Sequence, residues 1–441
     1  MIKIYFLIIS LLSSWLFPND QIPGELQKRP ILLKGGIIHT VSTDILDGYD
    51  ILFSKGKIVR IEKNIMPSPE TDVYDVYGKH IVPGYIAPIT RIGLVEVNAV
   101  RQSVDYAEIG SINPNVKANV SYNPDSELIP VTRSNGVLIA NSVPTGGRIS
   151  GQSSVMMLDG WTWEQATLLH PSGLHINWPS FIINYSSNVK KTEKQQLEDI
   201  QSSIRELNDI VQNVRAYFQS INQRNRNSDN RQRADLRLES MIPYIVKKQT
   251  IFIHADEARQ IESAIKWAKL NDLKIVIVGG KDSWRIPKLL VKNNIPVILD
   301  RVERIPMRRF EKIHKPYETP LLLKNAGVQF CLNTRIGYPH DGNIRNLPNE
   351  AMRAIAYGLN KSEALRSITL STAEILGVDD KIGSIDVGKD ATFFISDKEP
   401  MEMSSNILMA FIQGREIDLS DRQKTLYKKY KEKYRRLGQI E

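Results

Sequence analysis

Short apolar runs separated by glycine-containing turns make up the beginning of the chain. Residues 37–41 and 57–61 are such runs, and their length and spacing are typical of short strands joined by tight turns. The same pattern returns near the other end of the chain, for example at residues 391–395. We therefore predict one small β-sandwich domain composed of residues 29–82 and 379–418.

The middle of the chain alternates apolar runs with helix-like segments. The runs at residues 250–254, 273–278 and 295–299 are almost continuously apolar, a pattern typical of parallel strands that are covered on both faces. We predict an α/β fold in which residues 83–378 form a (β/α)8 TIM-like barrel. A long amphipathic helical insertion at residues 190–240 is predicted to be either a lid over a site or a packing element.

The amino terminus resembles an export signal. Lys3 is followed by an apolar run at residues 4–12, which is shorter than the ~20 residues that a membrane-spanning helix needs. We predict that residues 1–20 are a signal peptide and that the protein is secreted or periplasmic. An uncleaved signal would instead anchor the protein in a membrane.

Charge is concentrated at the other terminus, where we predict a basic helix at residues 419–441. Residues 420–441 hold eight Lys/Arg against three Asp/Glu, out of a net charge of +9 for the chain. Tyr427, Tyr430 and Tyr434 have the spacing of one helical face. One interpretation is that these tyrosines dock on the protein body; the other is a weak contact with a membrane surface or an acidic partner. No nucleic-acid module is recognisable.

The single cysteine, Cys331, excludes an intrachain disulfide and a cysteine-based zinc site. It lies in the apolar sequence Val-Gln-Phe-Cys-Leu, which predicts a buried strand. A nucleophilic cysteine requires exposure and a neighbouring base. We therefore predict a core thiol.

The sequence Ile-Val-Pro-Gly-Tyr-Ile-Ala-Pro-Ile-Thr-Arg-Ile-Gly-Leu at residues 81–94 carries a family resemblance. Together with residues 371–378 and 382–391, it resembles the amidohydrolase superfamily, especially its imidazolonepropionase-like branch. In that family an Asp-Ala-His-Thr-His stretch follows Pro-Gly, and its two histidines hold a catalytic metal. The resemblance implies a barrel whose site lies at the carboxyl ends of the strands.

The resemblance also shows how far the metal site has changed. The family's ligand positions correspond here to Ile89 and Arg91 on strand one, the region of Asn184 near strand four, His254 on strand five, Gly279 on strand six, and Arg335 on strand eight. Only His254 is retained, whereas catalytic zinc needs about three protein ligands. We therefore expect no metal or other cofactor.

Arginine at two of these positions suggests a different ligand. The planar guanidinium suits carboxylate or phosphate groups. We predict an anion-binding pocket at the barrel mouth, with the candidate contacts Arg91, Arg335, Arg345, Gln152 and Asn333. Internal ion pairing of the arginines with Glu96 or Asp256 is an equally open alternative.

Two functions follow as hypotheses. The first is a pseudoenzyme that has lost metal-dependent hydrolysis. It would act by binding a small anion, a second copy of itself in a homo-oligomer, or an active homologue in a hetero-oligomer. The second is an active hydrolase of C–N bonds, in a cyclic amide or a dipeptide-like substrate. Its rebuilt site would use zinc, with the candidate residues His254, Asp256, His340 and Asp341.

Overall fold

The computed structural model describes residues 21–186, 188–224, 234–337 and 340–440. The predicted signal peptide at residues 1–20 lies outside this part of the chain. Within it, no helix is long and apolar enough to cross a membrane.

Strands from both chain ends form one eight-stranded sheet. They are β1 (Ile31–His39), β2 (Ile45–Ser54), β3 (Lys57–Glu62), β4 (Asp72–Asp75), β5 (His80–Pro83), β14 (Phe393–Ser396), β15 (Ile407–Ile412) and β16 (Arg415–Glu416). β5 joins the two ends, because it pairs parallel with β1 and antiparallel with β14. Phe53, Phe393 and Phe411 fill its core, with ring centroids 5.1–5.6 Å apart.

A second eight-stranded sheet forms the barrel. Its strands are β6 (Tyr85–Thr90), β7 (Val137–Ser142), β8 (Ile149–Met157), β9 (Thr167–Asn177), β10 (Ile251–Ala255), β11 (Ile275–Gly279), β12 (Val297–Leu299) and β13 (Phe330–Leu332). Neighbouring strands pair parallel except at β8, which runs antiparallel between β7 and β9. The structure thus confirms a TIM-like barrel with a separate sheet domain. Cys331 is buried in β13, as predicted.

The fourth barrel strand differs from the sequence prediction, which placed it near Asn184, at the apolar run of residues 181–184. Those residues are irregular, and the strand is β9. β9 contains Pro171 and Gly173, which in sequence indicate a break rather than a strand. Its Ser172 is bonded to two other strands: the Ser172 hydroxyl donates to Asn141 Oδ1 on β7 (2.7 Å) and lies 2.8 Å from the Ser153 hydroxyl on β8. These cross-strand partners make a buried polar strand possible.

The helices of the described chain cover the barrel, except for the carboxyl-terminal one. They are α1 (Leu128–Arg133), α2 (Trp163–Ala166), α3 (Glu193–Arg224), α4 (Leu236–Ile245), α5 (Ala258–Leu270), α6 (Pro287–Lys292), α7 (Lys315–Ala326), α8 (Leu347–Ala356), α9 (Lys361–Ser367), α10 (Leu370–Leu376) and α11 (Arg422–Arg436). α3 and α4 are the predicted insertion. α3 buries Leu207, Val211 and Val214 in the barrel's hydrophobic core, so the insertion is a packing element.

The carboxyl-terminal helix α11 does not dock its tyrosines on the body. It has no buried residue, and the exposed fractions of Tyr427, Tyr430 and Tyr434 are 66%, 48% and 43%. The docking interpretation was wrong, because the tyrosines face solvent and the helix is anchored near its first turn. There, Asp421 caps the helix and accepts a hydrogen bond from the Ser134 hydroxyl (2.9 Å).

A buried ion cluster joins the chain's distant parts. Asp159, which follows β8, lies 2.9 Å from Arg133 Nη1 on α1 and 3.2 Å from Arg415 Nη1 on β16. The Gly24 amide also donates to Asp159, over 3.2 Å. One carboxylate therefore holds together the amino-terminal segment, the barrel and the small sheet domain.

Candidate functional site

A cavity of about 290 Å³ opens at the carboxyl ends of the barrel strands. It is the place where the fold positions functional groups. Its lining residues are Ile89, His254, Ala255, Asp256, Gln260, Val278, Gly279, Lys281, Asp300, Asn333, Arg335 and Ile336. We call this the mouth cavity.

Lys281 is the central cation of the mouth cavity. Gly279 and Gly280 have φ values of 100° and 57°, conformations that favour glycine, and Lys281 follows directly after them. Its Nζ lies 2.7 Å from Asp256 Oδ2 and 3.4 Å from Asp300 Oδ2. Burial opposes the charge, but the two carboxylates together raise the pKa of Lys281 above its usual value. The ammonium therefore remains charged at neutral pH.

Gly279 lies where the family resemblance implies the strand-six ligand, and a side chain there would clash with the Asp256 carboxylate. A Cβ atom at this position would lie 2.3 Å from Asp256 Oδ1. Asp256 is held in place because its amide donates to Gln260 Oε1 (2.8 Å), while Gln260 Nε2 donates to the Trp178 carbonyl (2.8 Å). A histidine at position 279 would have to displace this carboxylate.

His254, the retained ligand position, is paired with a second histidine. Its Nε2 lies 2.9 Å from Nδ1 of His175, which is fully buried on β9 and stacks on Phe252. Burial lowers the pKa of His254 to about 4. Burial and the neighbouring His254 also hold the pKa of His175 well below its usual value. Both imidazoles are therefore neutral at physiological pH, and one donates a hydrogen bond to the other.

Stability is expected to fall as the pH drops from about 6.5 to about 4. In this window the unfolded His254 binds a proton and the folded one does not, so protonation favours unfolding by about 3 kcal/mol at the acid end. Urea unfolding at about pH 7 and about pH 4.5 measures the loss. His254→Gln should reduce the pH dependence. The control is His314→Gln, because 37% of that side chain is exposed. Equal slopes in the wild type and His254→Gln would contradict the prediction.

Arg91 is neutralised internally, though by neither of the predicted partners. Its guanidinium lies 4.0 Å from Asp341 Oδ2 and 3.7 Å from the centre of the Tyr106 ring. Asp341 is buried and also accepts a hydrogen bond from the Gly337 amide (2.8 Å). Arg91 and Asp341 thus belong to a structural contact beside the mouth cavity, and neither lines it.

The other sequence-predicted residues divide into two groups. Arg335 and Asn333 line the mouth cavity. Arg345 donates to the Gly342 carbonyl (2.7 Å) and lines a different pocket, beside Tyr85 at the start of β6. Gln152 is buried in β8, where its Nε2 donates to the Pro114 carbonyl (3.0 Å).

His340 also lies outside the cavity lining, so the structure does not gather His254, Asp256 and His340 around one point. Partial burial and the cations Arg301 and Arg335 lower the pKa of His340.

The donor set does not fit the divalent metal that the family resemblance implies. Ile89 offers no donor atom, Arg91 is a permanent cation, and Gly279 has no side chain. His254 Nε2 is already within hydrogen-bond distance of His175. Within the described ranges, no group of three or more His, Cys, Asp or Glu side chains could hold a metal ion.

Comparison with known proteins shows which family this chain resembles in sequence and in fold. The sequence model of the Amidohydrolase family matches residues 297–417, from β12 to the end of the small sheet domain. An amidohydrolase from Thermotoga maritima MSB8 has a solved structure with 25% identity and a TM-score of 0.75; the match covers 88% of this chain and 99% of that chain. The chain belongs to the amidohydrolase superfamily.

Two further matches to known proteins say less about this chain. An adenosine deaminase from Xanthomonas campestris with bound zinc has a TM-score of 0.51 at 12% identity, covering 94% of this chain and 100% of that one, which shows the fold alone. A dihydroorotase from Sulfurihydrogenibium sp. (strain YO3AOP1) is 44% identical over 55 residues, which are 12% of this chain and 13% of that protein. Assignment to the imidazolonepropionase-like branch stays a prediction.

The sequence interpretation missed Lys281 and Asp300. Both follow strand ends directly: Lys281 comes after Gly279-Gly280 at the end of β11, and Asp300 comes after β12. In a barrel of this superfamily, charged residues at these places lie at the mouth. Strand-end position was therefore the available signal.

Proposed function

We propose that this superfamily member is a pseudoenzyme that binds a small anionic ligand in the mouth cavity. The main support for the proposal is the ion network Asp256–Lys281–Asp300. It lies where the resemblance to the family implies a metal. Lys281 is charged there, but it is already paired with both carboxylates. An ammonium does not lower the pKa of bound water as a divalent metal does, so the metal-dependent hydrolysis has no counterpart.

The ligand contact is assigned to Arg335. Lys281 is neutralised by two carboxylates, whereas Arg335 has no carboxylate within 4 Å among the described residues and is exposed at the rim. Asn333 adds a buried Oδ1 that has no hydrogen-bond partner in the described structure. A cavity of about 290 Å³ is at the small end of ligand sites, so the ligand is a small carboxylate or phosphate compound.

Arg335→Gln is expected to weaken binding of such a ligand by about 10–100-fold, the worth of a hydrogen bond to a charged group. Titration calorimetry with a panel of small carboxylates and phosphates measures this. Arg345→Gln is the matched control, because it removes the same charge from a different pocket. Equal affinities of the two variants would refute the assignment of Arg335.

A C–N hydrolase is the second candidate, favoured by membership in the superfamily and by His254 and Asp256 lining one cavity. Elemental analysis separates the two functions. The pseudoenzyme should contain no stoichiometric zinc, manganese or iron. Stoichiometric metal that a chelator removes together with C–N hydrolysis would favour the hydrolase.

Export and assembly are further parts of the proposal. A secreted or periplasmic location is supported by the sequence of residues 1–20 alone. A role as partner subunit of an active homologue is supported by the altered ligand positions in an otherwise typical superfamily barrel.

A further inference from the structure

We propose that α11 binds the surface of a membrane that contains anionic lipid. The helix is a 15-residue element with no buried side chain. Its first turn is fixed to the body, because Asp421 Oδ1 accepts from the Lys424 amide (2.8 Å) and Oδ2 accepts from Ser134. The remaining turns present their side chains to solvent.

One face of α11 is aromatic and apolar. Tyr427, Tyr430 and Tyr434 recur at spacings of three and four residues, so they lie on the same face. Leu426 and Leu437 border them, with 41% and 59% of their surfaces exposed. Tyrosine has an apolar ring and a polar hydroxyl, which suits the boundary between lipid headgroups and acyl chains.

The rest of the helix is strongly basic. Its sequence RQKTLYKKYKEKYRR holds eight Lys/Arg and one acidic residue, Glu432, which pairs with Arg435 and Arg436 at 2.8 Å. At 100° per residue, Lys431 borders the tyrosine face on one side. Lys433 lies on the other side, with its Nζ 5.8 Å from the centre of the Tyr434 ring. An apolar stripe between two basic borders is the pattern of a helix that lies in a membrane interface.

The positive charge of α11 determines which kind of partner its tyrosine face can bind. A second copy of the chain would bring an equally basic helix, and like charges repel. An anionic lipid surface attracts every Lys and Arg near it.

The amino-terminal end of the described chain lies beside the same helix. Gln21 Nε2 donates to the Ser420 hydroxyl (2.8 Å), one residue before the Asp421 cap. The described chain therefore begins beside the first turn of α11.

Vesicle co-sedimentation of the full chain tests the proposal. Vesicles of phosphatidylcholine with about one third phosphatidylglycerol should bind the protein, and pure phosphatidylcholine should bind it much more weakly. The triple variant Lys424→Gln/Lys428→Gln/Lys431→Gln should weaken binding to the anionic vesicles on the order of 100-fold. A separate triple change, Tyr427→Ser/Tyr430→Ser/Tyr434→Ser, should weaken it at least about 10-fold.

The matched control is Lys247→Gln/Lys266→Gln/Lys269→Gln, which removes three exposed lysines elsewhere and should leave binding unchanged. Equal binding to neutral and anionic vesicles, unaffected by the α11 variants, would assign the binding to residues 1–17 and overturn the proposal. Absence of vesicle binding would also overturn it. Capture by polyglutamate without vesicle binding would assign α11 to an acidic protein instead.

Discussion

Replacing Asp159 with alanine is expected to destabilise the protein by about 3–5 kcal/mol, because it leaves two buried arginines without a counter-charge. The Asp159 side chain is fully buried, and the exposed fractions of the Arg133 and Arg415 side chains are 3% and 9%. The Gly24 amide loses its acceptor as well. Urea unfolding at neutral pH measures the loss.

Asp72→Ala is the control for this prediction. Asp72 forms a 3.7 Å pair with Arg29, and both side chains are about half exposed, so the loss should stay below about 1 kcal/mol. If Asp159→Ala and Asp72→Ala lowered the free energy of unfolding equally, the buried cluster would not be a stabilising junction.

Replacing Phe252 with alanine is expected to cost about 3–5 kcal/mol, because the ring is fully buried in β10 and its removal leaves a cavity. The ring also contacts the strand next to it. A Cβ atom at Gly173 on β9 would lie 2.2 Å from Phe252 Cε2. Gly173→Ala alone should therefore cost about 1–3 kcal/mol by overpacking.

The double variant Phe252→Ala/Gly173→Ala tests the contact between these two positions directly. With Phe252 reduced to alanine, the new methyl group at position 173 occupies freed space, so the double variant should lose less stability than the sum of the two single losses. Thermal or urea unfolding of all four proteins measures this coupling. Phe310→Ala, at a ring that is 79% exposed, is the control and should change little. Strict additivity would contradict the predicted contact.

The strands that follow simple apolar patterns could be predicted from the sequence. β10, β11 and β12 are short, almost wholly apolar and covered on both faces, and each lies where the pattern placed it. β9 could not be predicted, because the buried Ser172 and the half-buried His170 are hydrogen-bonded to hydroxyl and amide groups on β7 and β8. A buried polar residue needs a hydrogen-bond partner, and here the partners come from other strands of the chain. The sequence around β9 therefore does not show that its polar residues can be buried.

The residues of the mouth cavity could also be predicted only in part from the sequence. Family ligand positions led directly to His254, Ile89 and Gly279, which all line the mouth cavity. Arg91 faces the same end of the barrel but contacts Tyr106 and Asp341 beside the cavity. Side-chain direction at a strand end depends on loop geometry, which a linear pattern does not contain.

The position of β5 between β1 and β14 has a consequence for synthesis on the ribosome. β1 is made shortly before β5, but β14 is made only after the whole barrel, roughly 300 residues later. At about 5–20 residues per second this takes on the order of 15–60 s. During that time one edge of β5 has unpaired backbone groups that can pair with another nascent chain. The small sheet domain is therefore completed last, and we expect this edge of β5 to stay open until β14 has been made.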